Sequence, residues 1–499
     1  MQTTRWALAA LLVLAGCSTT KFENSQLTPA SCATKSPPAG LSSCNAERRS
    51  FDATHEERPL ILVAISGGGV RASALGWAIL EQLKEQKYTT GAGESRRLID
   101  DVAVISSASG GSVAAAYLGL YGPDGLDNLE HDFLSQDNMQ TLGSETLRPS
   151  TWFSLVFSGN GRTDQVRALF DERLFHDKRF RDMNREGRPY VILNATDMAS
   201  GEVFSFTPQR FDDICSNLDN ERISVGVASS SAVPVVLEPM AFHNYSKADG
   251  CPITTMPQWV TNQLDTKELP AARFQNVELY KRARYAYDLR KGSNPFRTRD
   301  YIYLVDGGLV DNLGIHGLIE ATTAHYAPEI VNVGKKDRRS ILYAMNAGLV
   351  RKLVVVIVNA RSDPVNDIYT SPDRPGLLAM LGAVASDPID ATSSSMNSQL
   401  RVLMDELKKA DQVTHSMKVY DIEVDFDLLD PNEPKQKELR DAVKIIPTSW
   451  TISAGNLAVV EKASRQLMQH NPCFQKLLLD MGITPDFPVS PELAAAGCQ

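Results

Sequence analysis

The sequence predicts an α/β fold with a mostly parallel central sheet and helical insertions. Continuous apolar runs, which suit strands buried on both faces of a parallel sheet, alternate along the chain with segments of helical pattern. The length of 499 residues and the hydrophobic content of 43% suit one large domain with insertions, or two domains. The strand candidates are residues 60–65, 102–105, 190–193, 302–305 and 353–358.

The N-terminus has the pattern of an exported lipoprotein. Arg5 precedes an apolar run over residues 6–15, which is shorter than the roughly 20 residues of a bilayer-spanning helix. The run ends in Leu-Ala-Gly-Cys, which resembles a bacterial lipobox. We therefore expect a signal peptide over residues 1–16 and lipidation at Cys17, the alternative being an ordinary signal peptide that contains a cysteine. Ser18 rather than Asp follows the cysteine, and by resemblance to enterobacterial lipoprotein sorting this implies the outer membrane of the cell envelope rather than the inner membrane.

Cysteine usage agrees with export. Apart from Cys17 the chain has six cysteines, and an even number suits a full set of disulfides in an oxidising compartment. The sequence does not determine the pairing. We predict that neighbouring cysteines pair: 32 with 44, 215 with 251, and 473 with 498.

Charge and ligand patterns exclude two classes of function. The net charge is −9 and basic clusters such as residues 335–339 are short, so no nucleic-acid partner is expected. The eight histidines are scattered without metal-ligand spacing. We therefore expect neither a metal nor a cofactor.

Composition divides the chain into four parts with two insertions. Residues 18 to about 57 are rich in Ser, Thr, Pro and Ala, which predicts a flexible tether. Two irregular stretches interrupt the strand–helix alternation and are interpreted as insertions above the sheet, where loops carry specificity. The predicted parts are a signal peptide (1–16), a tether (17–57), a catalytic domain (58–360) with insertions near 121–185 and 241–300, and a mainly helical C-terminal part (361–499) containing, for example, a helix over 399–409.

Ser109 is the candidate nucleophile. It lies in Ser107-Ala108-Ser109-Gly110-Gly111, between a predicted strand and a predicted helix, where a tight corner projects a side chain and the helix N-terminus stabilises negative charge. Ser106 and Ser107 compete for the role, but neither has a glycine two residues later. The structural alternative is a simple turn with Ser109 as a helix N-cap.

Three glycines after the first predicted strand suit an anion site. Without Cβ atoms, the backbone N–H groups of Gly67, Gly68 and Gly69 can converge on one point, either an oxyanion or a phosphate. The chain has no nucleotide-binding glycine motif, so the oxyanion is favoured over a nucleotide, and a flexible turn remains the structural alternative. Arg71 could add charge there, contact a phosphate or other anion, or form a structural ion pair.

Asp306 is the candidate general base. It follows a predicted strand and precedes two glycines, which places it at the carboxyl edge of the sheet where α/β sites form. A carboxylate bonded to the serine can take its proton directly, although Asp-Gly is also a common turn pair. Asp311 is a second carboxylate candidate, and His316 would be needed for a histidine triad.

Together these segments resemble the patatin-like phospholipase family. The resemblance rests on a G-G-G-x-[RK] segment at residues 67–71, a G-x-S-x-G elbow with Ser107 in place of the first glycine, and a D-G-[GA] motif at residues 306–308. Residues 229–234 are similar to the family's A-S-x-A-x-P stretch. The resemblance implies a three-layer α/β/α fold and a Ser109–Asp306 dyad without histidine. It also implies an oxyanion hole at Gly67, Gly68 and Gly69, and no metal.

The expected function is therefore serine acyl-ester hydrolysis of the phospholipase A or lysophospholipase type. The expected partners are a lipid or other acyl-ester substrate and a membrane, which the chain would reach through its N-terminal lipid anchor. An acyltransferase or thioesterase would use the same dyad. A non-catalytic envelope lipoprotein is the alternative from another class. Head group, acyl-chain length and oligomeric state are not determined by these patterns.

Overall fold

One mostly parallel sheet organises the protein in the computed structural model. The strands are β1 (Leu60–Ile65), β2 (Val102–Ala108), β3 (Tyr190–Asp197), β4 (Glu202–Ser205), β5 (Met240–His243), β6 (Tyr301–Val305), β7 (Lys352–Asn359) and β8 (Lys418–Asp425). Their order is β8-β7-β1-β2-β3-β6-β5, and β4 pairs with β3. The five strands from β8 to β3 are parallel, whereas β4, β5 and β6 pair antiparallel to their neighbours. The predicted fold class is confirmed.

The described part of the chain is discontinuous. It comprises residues 24–30, 51–52, 57–147, 161–183, 187–234, 236–264, 277–291, 299–323, 331–334, 337–362, 398, 400–402, 404–405, 417–492, 494 and 498. The signal peptide 1–16 and Cys17 lie outside it, as does most of the predicted helix 399–409. No helix in these ranges is long and apolar enough to cross a membrane.

Helices cover both faces of the sheet. Alternate residues of β1 enter different hydrophobic cores: Ile61, Val63 and Ile65 face one, and Leu60, Leu62 and Ala64 face the other. This alternation is what a strand buried between two helical layers requires. The helices are α1 (Gly69–Glu85), α2 (Gly111–Tyr121), α3 (Asn138–Leu147), α4 (Arg162–Phe170), α5 (Phe180–Met183), α6 (Pro208–Asp213), α7 (Ile223–Ser230), α8 (Gln258–Leu264), α9 (Val277–Lys291), α10 (Gly308–Asp311), α11 (Ile315–Thr323), α12 (Ile341–Asn346), α13 (Pro434–Lys444), α14 (Ala454–His470) and α15 (Pro472–Asp480).

Short strands lie outside the central sheet. Phe51–Asp52 pairs with Val331–Gly334, which in turn pairs with Asp337–Arg339. Lys87–Thr89 and Ser95–Arg97 form a separate hairpin.

The tether prediction is wrong for residues 24–30, which pack on the folded body. The Asn24 side chain donates to the His243 carbonyl at 2.8 Å and accepts from the His243 N–H at 2.8 Å. Leu27 is fully buried, and its N–H donates to the Cys215 carbonyl at 2.8 Å. The polar composition of the surrounding residues gave no sign of these contacts with distant parts of the chain, because one amide and one leucine are enough to dock a short segment.

The C-terminal part, for which mainly helices were predicted, also contributes a strand to the sheet. β8 extends the sheet beside β7, and its side chains at Tyr420, Ile422 and Val424 are buried. The apolar residues therefore recur at every second position, a period-2 signal that indicates an edge strand. Helix α14 then packs across α1. The predicted insertion 241–300 likewise begins inside β5, so its first residues belong to the sheet.

Two of the three predicted disulfides are present. Cys215 bonds to Cys251 and Cys473 bonds to Cys498. Cys32 and Cys44 lie outside the described residues. The first bond joins the segment after α6 to the loop after β5, and the second joins α15 to the C-terminus.

Candidate active site

A strained serine stands at the carboxyl edge of the sheet. β2 is buried throughout and leads directly into α2, with Ser109 at the corner between them. The φ angle of Ser109 is +49°, in the left-handed region that costs a non-glycine residue energy. Such strain is typical of a nucleophile on a strand-to-helix turn, where the corner aims the hydroxyl away from the sheet.

The carboxylate of Asp306 accepts a hydrogen bond from the hydroxyl of Ser109. The Ser109 Oγ donates to Asp306 Oδ2 at 2.7 Å, and the Gly308 N–H donates to Asp306 Oδ1 at 2.7 Å. Burial raises the pKa of Asp306 to about 6, although the bonds from Ser109 and Gly308 act in the opposite direction. A carboxylate with this pKa can accept and return a proton near neutral pH.

Hydrogen bonds from β3 and from the segment that begins at the end of α7 hold Ser109 and Asp306 in place. Ser230 Oγ accepts from the Ser109 N–H at 2.8 Å and donates to the Asn194 carbonyl at 2.5 Å. The Asp306 N–H donates to the Ala232 carbonyl at 2.9 Å, and Thr196 Oγ1 donates to the Asp306 carbonyl at 2.9 Å. The stretch 229–234 therefore borders both members of the pair. The sequence analysis identified this stretch, but it did not predict the hydrogen bond that the Ser109 N–H donates to Ser230 Oγ.

The glycine loop, residues 67–69, lies against this corner. A Cβ built on Gly110 would stand 2.0 Å from the Gly69 carbonyl oxygen, so the two backbones are in direct contact. Gly68 and Gly69 have φ angles of +134° and +60°, which glycine adopts without strain. The loop then opens α1, and Gly110 precedes α2, so two helix N-termini face one place.

The N–H groups of the glycine loop are not equivalent. The N–H of Gly67 donates to the Asn312 carbonyl at 2.8 Å, so it is occupied, contrary to its predicted place in an oxyanion hole. Within the described ranges, the N–H groups of Gly68, Gly69 and Gly110 have no hydrogen-bond acceptor. They are the donors that an oxyanion beside Ser109 would use.

Arg71 does not face the Ser109 corner. Its side chain is 2% exposed, and its Nε donates to the Ala360 carbonyl at 2.9 Å. The rest of the guanidinium donates to the Ile446 carbonyl and to Thr448 Oγ1. Burial lowers its pKa to about 10. The predicted contact with a phosphate or other anion is therefore wrong. The side chain has a structural role, as one alternative held, but its partners are two carbonyls and a hydroxyl of the protein rather than a carboxylate.

Asp311 and His316, the other two titratable candidates, lie at or near the start of α11 and are not bonded to Ser109 in the described structure. The carboxylate of Asp311 is fully buried and accepts the N–H groups of Ile315 (3.0 Å) and His316 (2.8 Å) at the start of α11. It thus acts as a helix cap. Burial and the charges of Arg282 and Arg210 lower the pKa of His316 well below its usual value. The structure brings Asp306, rather than either of these residues, onto Ser109.

No curated protein matches the chain in sequence at a significant level. Among solved structures, human GIVD cytosolic phospholipase A2 is similar with a TM-score of 0.43 at 9% identity, covering 85% of this chain and 62% of that chain. The same protein in complex with methyl gamma-linolenyl fluorophosphonate has a TM-score of 0.39 at 11% identity, covering 86% and 59%. The chain thus spans about three fifths of the length of these structures.

The family model described as patatin-like phospholipase matches residues 63–319. This range is more than half of the 499 residues, and it contains the glycine loop, Ser109 and Asp306. The chain belongs to the patatin-like phospholipase family.

Proposed function

We propose that the chain is a lipid acyl hydrolase of the phospholipase A or lysophospholipase type that uses a Ser109–Asp306 dyad. The observation that carries the proposal is the 2.7 Å bond from the strained Ser109 hydroxyl to a buried carboxylate, with open backbone N–H groups alongside. Membership of the patatin-like phospholipase family supports a lipid ester as the substrate.

The geometry supports a two-step acyl transfer. Ser109 Oγ attacks the acyl carbonyl while its proton passes to Asp306 Oδ2. The N–H groups of Gly68, Gly69 and Gly110 bind the tetrahedral oxyanion, and each such donor is typically worth about 3 kcal/mol of transition-state stabilisation. Collapse breaks the ester bond, and Asp306 returns the proton to the leaving alcohol. Water then repeats the sequence on the acyl-enzyme, with Asp306 as its base, and releases the fatty acid.

The first test is covalent labelling of the folded protein with a fluorophosphonate. We expect one phosphonylated residue, Ser109, mapped by mass spectrometry. Among the described residues, it alone has a hydroxyl paired with a carboxylate beside N–H groups that lack an acceptor. Ser109→Ala should remove both the label and hydrolysis of a short-chain ester. Ser464→Ala is the matched control, since that serine is also buried but bonds to Gln82 and to the Glu461 carbonyl in α14. Labelling elsewhere, or hydrolysis by Ser109→Ala, would refute the dyad.

The pH dependence of hydrolysis should report the proton on Asp306. Burial raises the pKa of this carboxyl to about 6, and only the ionised form can take the Ser109 proton. We therefore expect kcat/KM for a soluble ester to be constant near pH 8 and to fall about tenfold per pH unit below about 6. An acid limb near pH 4 would mean that Asp306 titrates as an ordinary carboxyl and would contradict the proposed base.

We also propose that the chain is lipid-anchored in the cell envelope of a bacterium, at the outer membrane. The Leu-Ala-Gly-Cys sequence at residues 14–17 supports anchoring, and two disulfides agree with an oxidising compartment. Cys17→Ser should abolish the lipid-modified N-terminal peptide and release the protein from the membrane fraction. Ser18→Asp should keep the lipid but move the protein to the inner membrane. Lipid attachment that persists in Cys17→Ser would exclude this anchor.

A further inference from the structure

A loop far beyond the family-matched region touches the glycine loop. Residues 446–451, here called the C-terminal clamp, connect α13 to α14. The Val70 N–H donates to the Ser449 carbonyl at 2.8 Å. A Cβ built on Gly69 would lie 2.5 Å from that same carbonyl oxygen, so the clamp and Gly69 meet backbone to backbone. The clamp therefore limits where the Gly69 N–H can point.

Arg71 holds the clamp to the sheet. Its guanidinium donates to the Ile446 carbonyl in the clamp, while its Nε donates to the Ala360 carbonyl just past β7. Because these are charge-assisted bonds in a buried place, they are stronger than ordinary backbone bonds. One side chain thus joins the first turn of α1, the end of β7 and the clamp.

The other side of the clamp is fixed to the helical insertion between α2 and β3. The Trp450 ring stands edge-on to Phe170 at a centroid distance of 5.2 Å and to Phe133 at 6.4 Å. Asn138 Nδ2 donates to the Trp450 carbonyl at 2.8 Å, and the Met139 N–H donates to Thr451 Oγ1 at 2.8 Å. The clamp is therefore seated between the insertion and the glycine loop.

We propose that the C-terminal clamp is a positioning element of the oxyanion hole, and that Trp450 acts through it. The proposal rests on the proposed function above, since it assigns the clamp the task of orienting the Gly68 and Gly69 N–H groups. Loss of this positioning should slow the chemical step rather than weaken substrate binding. An N–H donor displaced by about 1 Å still allows the substrate to bind, but it stabilises the oxyanion poorly.

The test is the kinetics of Trp450→Ala in the full chain, on a soluble short-chain ester. We expect kcat to fall about 10- to 100-fold with KM within about twofold of the wild type, because the defect lies in transition-state stabilisation. The rate of fluorophosphonate labelling at Ser109 should fall in parallel. Trp450→Phe keeps an aromatic ring against Phe170 and should restore most of the activity.

Phe487→Ala is the matched control. Phe487 is also a partly buried aromatic residue packed on the same core, where it stacks on Phe474 away from the clamp. We expect a lower melting temperature for both alanine variants but lower kcat only for Trp450→Ala. Equal kcat in the two variants would overturn the positioning role. If instead the wild type neither hydrolyses esters nor reacts at Ser109, the proposed function fails first.

Discussion

The Asp306→Asn variant should lose hydrolysis by about 10²- to 10⁴-fold in kcat while keeping its fold. The asparagine amide has nearly the same shape and can still accept the Gly308 N–H, but it cannot take the proton of Ser109. No second base is joined to Ser109 Oγ by a hydrogen bond in the described part of the chain. Steady-state kinetics on a soluble ester, together with fluorophosphonate labelling, would measure the loss.

The same substitution should not destabilise the protein. The pKa of Asp306 rises from 3.8 to about 6 on folding, so the fold favours the neutral carboxyl. This carboxyl therefore supports folding fully below about pH 4, and that support is lost as the pH rises through about 6. The neutral amide avoids a cost of about 3 kcal/mol at pH 7 to 8. We expect the melting temperature of Asp306→Asn to equal or exceed that of the wild type there.

Asp311→Asn is the matched control for this prediction. Asp311 is equally buried, its pKa is raised to about 6 by the same cause, and it bonds to backbone N–H groups at the start of α11 rather than to Ser109. Its substitution should leave kcat within about threefold of the wild type. If both variants lose activity alike, or if Asp306→Asn melts well below the wild type, the loss reports damage to the fold rather than a missing base.

Local sequence patterns were sufficient for five strands of the central sheet (β1, β2, β3, β6 and β7) and for the corner of the site. Apolar runs predicted the buried strands that became β1, β2 and β7, and small residues predicted the turn that holds Ser109. These patterns consist of residues that are neighbours in the sequence, so a single sequence is enough to recognise them. Asp306 was correctly placed at the end of a strand, but that strand, β6, is antiparallel to β3. The pairing of Val305 with Thr196 brings Asp306 beside Ser109, and the sequence did not predict this register.

Apart from the missed strands, the errors concern contacts between distant parts of the chain. The Gly67 N–H donates to the Asn312 carbonyl, and the Arg71 guanidinium donates to the Ile446 carbonyl of the clamp. Both bonds join residues that are far apart in the sequence, so no local pattern predicts them. Asn24 docks on His243 in the same way. A run of glycines in the sequence indicates that its N–H groups can point at a ligand. Which of these N–H groups lacks an acceptor within the protein depends on the whole fold.

The Gly110→Ala variant should also be nearly inactive, for a purely steric reason. The φ angle of Gly110 is −58°, which alanine adopts readily, so no backbone strain is introduced. The added Cβ would stand 2.0 Å from the Gly69 carbonyl oxygen and 2.7 Å from its Cα, and the glycine loop must move to make room. Displacing its N–H donors should lower kcat by about 10²- to 10³-fold or more.

Gly455→Ala supplies the control for Gly110→Ala. Gly455 lies in the first turn of α14, where the nearest atom to an added Cβ is the Ser453 Oγ at 4.0 Å. Alanine there should preserve activity and slightly stabilise the helix. Comparing the two variants in kcat, labelling rate and melting temperature separates a displaced glycine loop from the general effect of a methyl group. If the activity of Gly110→Ala stays within about threefold of the wild type, catalysis tolerates the displacement of the glycine loop. The N–H groups of Gly68 and Gly69 could then not be the donors on which catalysis depends.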